Sequence, residues 1–136
     1  MGLEVVNEAY VVDTHALFWY LTKPDQLSEN ALTVFVAALA GQTQLVLSAI
    51  VLLELHALIR KAKAPIDFRV ELKRFQSAGY YRIEPITVAD LLLLDDLHAI
   101  TDIHDRAIVA TAVRLGAPML TRDLAIQSSA IVPCVW

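Results

Sequence analysis

The chain has 136 residues, enough for one compact domain and too few for two independent cores. Apolar residues make up 57% and charged residues 19%, a composition that excludes disorder. The longest unbroken apolar run, Val34–Ala40, has seven residues, against the ~20 that a membrane span needs. The formal net charge is −4, yet residues 60–82 hold seven Lys or Arg against two Asp or Glu. An otherwise acidic molecule thus has one cationic segment, which could follow a phosphate backbone or simply solvate a helix face. Cys134 is the sole cysteine and no cationic leader precedes Lys23, so the expected location is a reducing cytoplasm.

Ala9-Tyr10-Val11-Val12 is a short apolar, β-branched run that ends at Asp13 and reads as a buried strand. A helix is expected over Thr14–Leu21, stopped by Lys23-Pro24-Asp25. Ser28 is placed to cap a helix reaching about Ala40, with Gly41 at its stop. Gln44–Leu47 is a second strand, and Ser48 caps a helix to about Lys63 that Pro65 ends. Asp67 opens a further helix closing near Gly79, and Tyr80–Ile83 is a third strand. Thr87-x-x-Asp90 has capping-box spacing ahead of Leu91–Leu94. Asp102-x-x-Asp105 repeats it ahead of Ala107–Leu115, which Gly116-Ala117-Pro118 stops. Met119–Thr121 and Ile131–Val135 are the last two strands expected. Strands separated by one or two helices pair in parallel through right-handed crossovers. The expected fold over 1–136 is therefore a single α/β domain of three layers (α/β/α) around a central, mainly parallel five-stranded sheet.

In such sheets ligands bind beyond the carboxyl ends of the strands, and acids collect there. Asp13 follows the first strand directly, and Asp123 lies just beyond the fourth. Glu54 lies within about two helical turns of Ser48. Its helical neighbours Ile50, Val51, Ala57 and Leu58 are apolar, so it is expected to point into a packed face. Asp105 lies in the first turn of its helix beside Ile108 and Val109 and should also turn inward. Taken singly, Asp13, Asp105 and Asp123 could be helix caps or first-turn acids. A carboxylate on an apolar face has no such explanation unless it is paired, and four acids reaching one edge are not four independent caps. Two charges 4 Å apart repel by ~4 kcal/mol at an effective dielectric of 20, so such a cluster calls for protons or cations. Oxygen-only ligands favour Mg²⁺ or Mn²⁺, whose matching chemistry is phosphodiester hydrolysis. Thr14, Ser48 and Thr121 stand beside these acids as supporting hydroxyls or as caps.

Four segments carrying these acids resemble the motifs of VapC-type PIN-domain toxins. They are Val12-Asp13-Thr14-His15-Ala16-Leu17-Phe18-Trp19-Tyr20-Leu21 with Leu27-Ser28, Ser48 to Leu55 around Glu54, Asp102 to Ala112 around Asp105, and Leu115 to Asp123. The resemblance spans residues 9–136 and keeps the order and spacing of all four. It implies an Mg²⁺- (or Mn²⁺-) dependent endoribonuclease, the toxin of a type II toxin–antitoxin pair, neutralised by a small antitoxin and acting as a homodimer. It further implies that Asp13, Glu54, Asp105 and Asp123 are the metal-binding set and that the products carry a 5′-phosphate and a 3′-hydroxyl; Asp13 and Asp105 are the first choice for direct metal contact. Asp102 accompanies the third motif as a cap or supporting acid. There the family more often reads Asp-Pro-Phe-Asp-Arg, where this chain has Ile103-His104 between its two acids. Residues 56–90 depart most from the pattern, and the RNA contacts are expected from Arg60, Lys61 and Lys63, with Arg106 and Arg122.

Two rival readings stand beside this one. A phosphoacceptor receiver domain also gathers acids at strand ends, but it needs an acidic pair after the first strand and a late lysine. Asp13 stands alone there and the last lysine is Lys73. The other rival is a catalytically silent PIN-fold protein-interaction module, which retention of all four acids disfavours. His15, His56, His98 and His104 show no zinc-ligand spacing. Phe18, Trp19 and Tyr20 are consecutive on one helix and cannot all face one core, so at least one is expected to be exposed, available to a protein partner. Cys134 is expected to be an inert core residue.

Overall fold

The computed structural model describes residues 7–136. Five strands form one sheet: β1 (Ala9–Val12), β2 (Gln44–Ser48), β3 (Tyr81–Glu84), β4 (Met119–Leu120) and β5 (Cys134–Val135), in the spatial order β3-β2-β1-β4-β5. Every pairing is parallel, so the sheet is wholly rather than mainly parallel. Between the strands run α1 (Thr14–Thr22), α2 (Glu29–Leu39), α3 (Ala49–Ala62), α4 (Phe68–Ser77), α5 (Val88–Leu93), α6 (Ile103–Leu115) and α7 (Leu124–Ser129). Two short 3₁₀ turns, Pro24–Gln26 and Leu94–Leu97, complete the elements.

Successive strand residues face opposite sides of a sheet, yet Val11, Val12, Leu45, Val46, Leu47, Met119 and Leu120 are all fully buried. Both faces are therefore covered, which makes the three-layer α/β arrangement and accounts for most of the apolar surplus. Part of the surplus is on show: Leu32, Val36 and Leu39 on α2, and Val88, Leu91 and Leu92 on α5, are among the exposed large hydrophobics.

The helix starts are chemical. Asp13, Ser28, Ser48, Asp67, Thr87, Asp102 and Asp123 each accept a backbone N–H of their own helix's first turn, satisfying donors that would otherwise be orphaned. Thr87 and Asp90 form the reciprocal capping box that their spacing suggested. Gly116 ends α6 in the left-handed region at φ 62, where a Cβ is unfavourable. Asp90 has a second role. Its carboxylate takes the Arg114 Nε–H at 2.6 Å, and the same guanidinium reaches Glu84 at 2.8 Å, clamping α5 and α6 to the end of β3. Burial opposes the charge on Asp90, but Arg114 and the Thr87 amide and hydroxyl outweigh it and hold the carboxyl below its ordinary range.

Several boundaries differ from expectation. The last strand is only Cys134–Val135 rather than Ile131–Val135, and β4 stops at Leu120, one residue early. Helix α7 was not expected. Its six residues, Leu-Ala-Ile-Gln-Ser-Ser, are too few to show a helical period, and Asp123 starts it by capping the Ile126 amide. Strand β3 is displaced by one residue, to Tyr81–Glu84. Cys134 is only half-buried. None of the three consecutive aromatics is exposed: Phe18 is buried, and Trp19 and Tyr20 are half-buried, Tyr20 stacked on Phe35 of α2 at 4.0 Å.

Candidate active site

Strands β1, β2 and β3 step outward in one direction, whereas β4 and β5 add to the other side of β1. Such a reversal opens a crevice above the carboxyl ends of the two strands between which it occurs, here β1 and β4. Asp13 leaves β1 and Asp123 follows β4, so both arrive at that crevice. A cavity of about 730 Å³ lies there, and Asp13, Glu54, Asp105 and Asp123 all line it. Thr14 and Asp102 share the wall, together with His15 and Trp19 from α1, Ala57, Leu58 and Lys61 from α3, His104 from α6, and Arg122. Four segments separated by up to 110 residues supply the four acids.

Two of the four carboxylates, those of Asp13 and Glu54, accept hydroxyl hydrogen bonds. Asp13 Oδ1 accepts the Thr14 amide at 2.8 Å and Oδ2 accepts the Thr121 hydroxyl at 2.6 Å. Thr121 is fully buried and its oxygen in turn accepts the Asp123 amide at 3.0 Å, so one side chain aligns both acids. The Thr14 hydroxyl donates to Glu54 Oε1 at 2.6 Å. Glu54 Oε2 lies 3.3 Å from His104 Nδ1. Glu54 is 30% exposed and lines the cavity with Ala57 and Leu58 of its own helix, because α3 runs along the cavity wall. Asp105 is half-buried, and Asp102 caps its amide at 3.0 Å.

Charge is crowded here. Burial pushes the Asp105 carboxyl up to about 7, and Asp13, Asp102, Asp123 and Glu54 add their repulsion. Asp13 is likewise raised by burial, with Asp123 and Glu54 adding to it, against the opposing hydrogen bonds from Thr121 and Thr14. Both acids therefore retain protons more strongly than a free carboxyl, as like charges in a confined site require.

The donor set is oxygen-rich and anionic, which suits a hard divalent cation. Among the described residues, no three His, Cys, Asp or Glu side chains close on a single ion.

The supporting residues divide. Thr14 and Thr121 are built into the acid network, and Asp102 is the cap. Ser48 is fully buried, accepts the Ile50 amide at 3.1 Å and lies outside the cavity lining. Of the expected cationic residues, Lys61 and Arg122 line the cavity, whereas Arg60 and Lys63 do not. Arg106 is also outside, its Nε–H donated to the Ile100 carbonyl, which ties down the loop before α6. Within the basic stretch Arg74 pairs with Glu71 and Arg82 with Glu84. Two contacts were not foreseen, His104 on Glu54 and the Arg122 guanidinium over the Trp19 ring. Neither leaves a local signal, since their partners are 50 and 103 positions away.

The chain is a three-layer α/β domain with an acid cavity at the switch point of its parallel sheet, and the PIN domain model matches residues 10–130. The chain belongs to the PIN-domain family. Its fold is similar to VapBC2 from Rickettsia felis, solved bound to a DNA fragment from its promoter (TM-score 0.71, 17% identity, covering 93% of this chain and 96% of that one). It is also similar to VapC20 from Mycobacterium tuberculosis, described as a sarcin–ricin loop cleaving toxin (TM-score 0.68, 16% identity, 90% and 96% covered). FitAcB from Neisseria gonorrhoeae gives a TM-score of 0.66 at 19% identity, with 92% and 95% covered. At these identities the likeness is one of fold. No curated protein matches the sequence. Among the described residues, no helix is long and apolar enough to cross a membrane.

Proposed function

We propose that this chain is a metal-dependent endoribonuclease and the toxin of a type II toxin–antitoxin pair, acting in the cytoplasm as a homodimer and restrained by a small antitoxin. The observation that carries the reading is the meeting of four acids from four distant segments in one cavity at the sheet's switch point. The similar structures include toxin–antitoxin assemblies and a toxin described as cleaving the sarcin–ricin loop, which supports a toxin role.

Asp13 and Asp105 would hold Mg²⁺ or Mn²⁺, with Glu54 and Asp123 completing the site. Bound there, the cation would lower the pKa of an attacking water and stabilise the leaving oxygen of a phosphodiester. Thr121 keeps Asp13 and Asp123 in register, and Thr14 does the same for Glu54. Lys61 and Arg122 offset the charge of the incoming phosphate, which four carboxylates would otherwise repel. Arg60 and Lys63, at the end of α3, extend that positive track along the strand. A cation held there would displace the proton that Asp105 retains, so its binding would tighten as pH rises through about 7.

The test is cleavage of RNA by the purified protein with and without Mg²⁺ or Mn²⁺, with 5′-end mapping of the products. Asp13→Asn is expected to abolish cleavage and to leave the fold intact. Wild-type cleavage by that variant, or equal cleavage in chelator, would refute the assignment. The alternative is a catalytically silent interaction module. It requires that Mg²⁺ leave the melting temperature unchanged, whereas a bound cation raises it.

A further inference from the structure

Beside the acids, the cavity has a wall of a different chemistry. His15 and Trp19 stand one turn apart on α1 with ring centroids 5.4 Å apart, and Trp136 backs Trp19 at 5.9 Å. The Arg122 guanidinium lies over the Trp19 ring, 5.2 Å from its centroid. Arg122 directly precedes Asp123 in the chain and shares the cavity with four carboxylates. Even so, among the described residues it makes no ion pair and no side-chain hydrogen bond. Its charge lies over an indole at the cavity wall, with no ion pair among the described residues to neutralise it. His15 is exposed at the same edge, and Lys61 stands on the α3 wall with no ion pair among the described residues.

We propose that His15, Trp19 and Arg122 form a stacking subsite for one unstacked base of a single-stranded RNA, with Lys61 taking a neighbouring phosphate. The assignment rests on the nuclease reading for its choice of ligand. Flat surfaces of imidazole, indole and guanidinium are what a splayed base stacks on, and every base has a π-face to offer. A base engaged there tethers its adjoining phosphate to the acid cavity and counters the repulsion of the carboxylates. Paired bases in a duplex are already stacked and cannot enter. The wall therefore selects single-stranded segments and is tolerant of base identity.

Trp19 and Trp136 are the only tryptophans in the chain, so emission reports on this wall directly. In a Trp136→Phe protein kept in chelator, a short single-stranded RNA is expected to quench Trp19 saturably, with its integrity checked on a gel. The same RNA annealed to its complement is expected not to quench. His15→Ala and Arg122→Ala should each weaken binding about ten-fold while leaving the melting temperature unchanged. An RNA with a run of abasic positions should bind wild type and His15→Ala alike, a result that a merely structural role for His15 does not produce. The proposal is overturned if the RNA binds or is cleaved while Trp19 emission stays constant, as expected of a wall reserved for a protein partner. Equal quenching by duplex or abasic RNA overturns it too. Quenching by single-stranded RNA with no cleavage upon Mg²⁺ addition would uphold the subsite and remove the nuclease reading instead.

Discussion

Replacing Asp105 by Asn removes the most crowded charge in the cavity, and the cation-free protein should become more stable for it. A carboxyl moved from its ordinary 3.8 to about 7 corresponds to about 4 kcal/mol at full strength. Water reaches this half-buried group and screens it, which leaves about 1–2 kcal/mol. The dipole of α6 favours a carboxylate in its first turn and takes back roughly 0.5 kcal/mol of that gain. The net is about 1 kcal/mol, or a rise of roughly 3–5 °C in melting temperature for a domain of this size. The pH dependence follows from the direction of the shift. The folded protein retains a proton on Asp105 that the unfolded chain releases near 4, so its contribution to stability is present below about 4 and lost as pH rises to about 7. The advantage of Asp105→Asn is thus absent near pH 4 and complete near pH 8. Thermal melts of both proteins in chelator at several pH values measure it. A variant that melts lower than wild type near pH 8, or a gain equal at all pH values, would show that burial and the neighbouring acids do not oppose this charge as its placement requires. Cleavage should be lost in either case, because a proposed cation ligand has gone.

Other consequences can be measured separately. Thr121→Val removes the hydroxyl that aligns Asp13 and Asp123. It should cost about 1–2 kcal/mol in denaturant unfolding and reduce cleavage about ten-fold or more, since partners that orient ligands are typically worth that much. Arg114→Met leaves Asp90 buried without its cationic partner and Glu84 with Arg82 alone and should destabilise by about 2–4 kcal/mol. Adding Asp90→Asn and Glu84→Gln should restore part of that loss, and no recovery in the triple variant would count against a charge-based cause. Ser28→Ala deletes the cap on the Ala31 amide and should cost about 1 kcal/mol without touching activity.

Much of this molecule is written in neighbouring residues. The caps at Asp13, Ser28, Ser48, Asp67, Thr87 and Asp102, the apolar runs of β1 and β2, and the Gly116 stop depend on bonds closed within a few positions, and the sequence shows them directly. Elements too short to carry a period, α7 and the two-residue β5, were missed or misjudged for the same reason. The acids were legible as candidates because they follow strands or start helices, positions whose direction a parallel sheet constrains.

Tertiary structure decided what each candidate touches. The order β3-β2-β1-β4-β5 places the crevice between β1 and β4, and strand order is chosen by the packing of both sheet faces, which no local segment encodes. Glu54 sits on an apolar helix face in sequence yet leans into the cavity, because α3 is set at the cavity's edge. Ser48 and Arg106, chosen for their positions in the chain, are spent on an amide and a carbonyl, whereas Arg122 lies across an indole 103 residues away. The sequence alone thus determined which residues start, stop and face the helices and strands, since those preferences act over a few bonds. Which charges meet, and at what cost, depends on distances through space that arise only when the sheet and its helices close on one another.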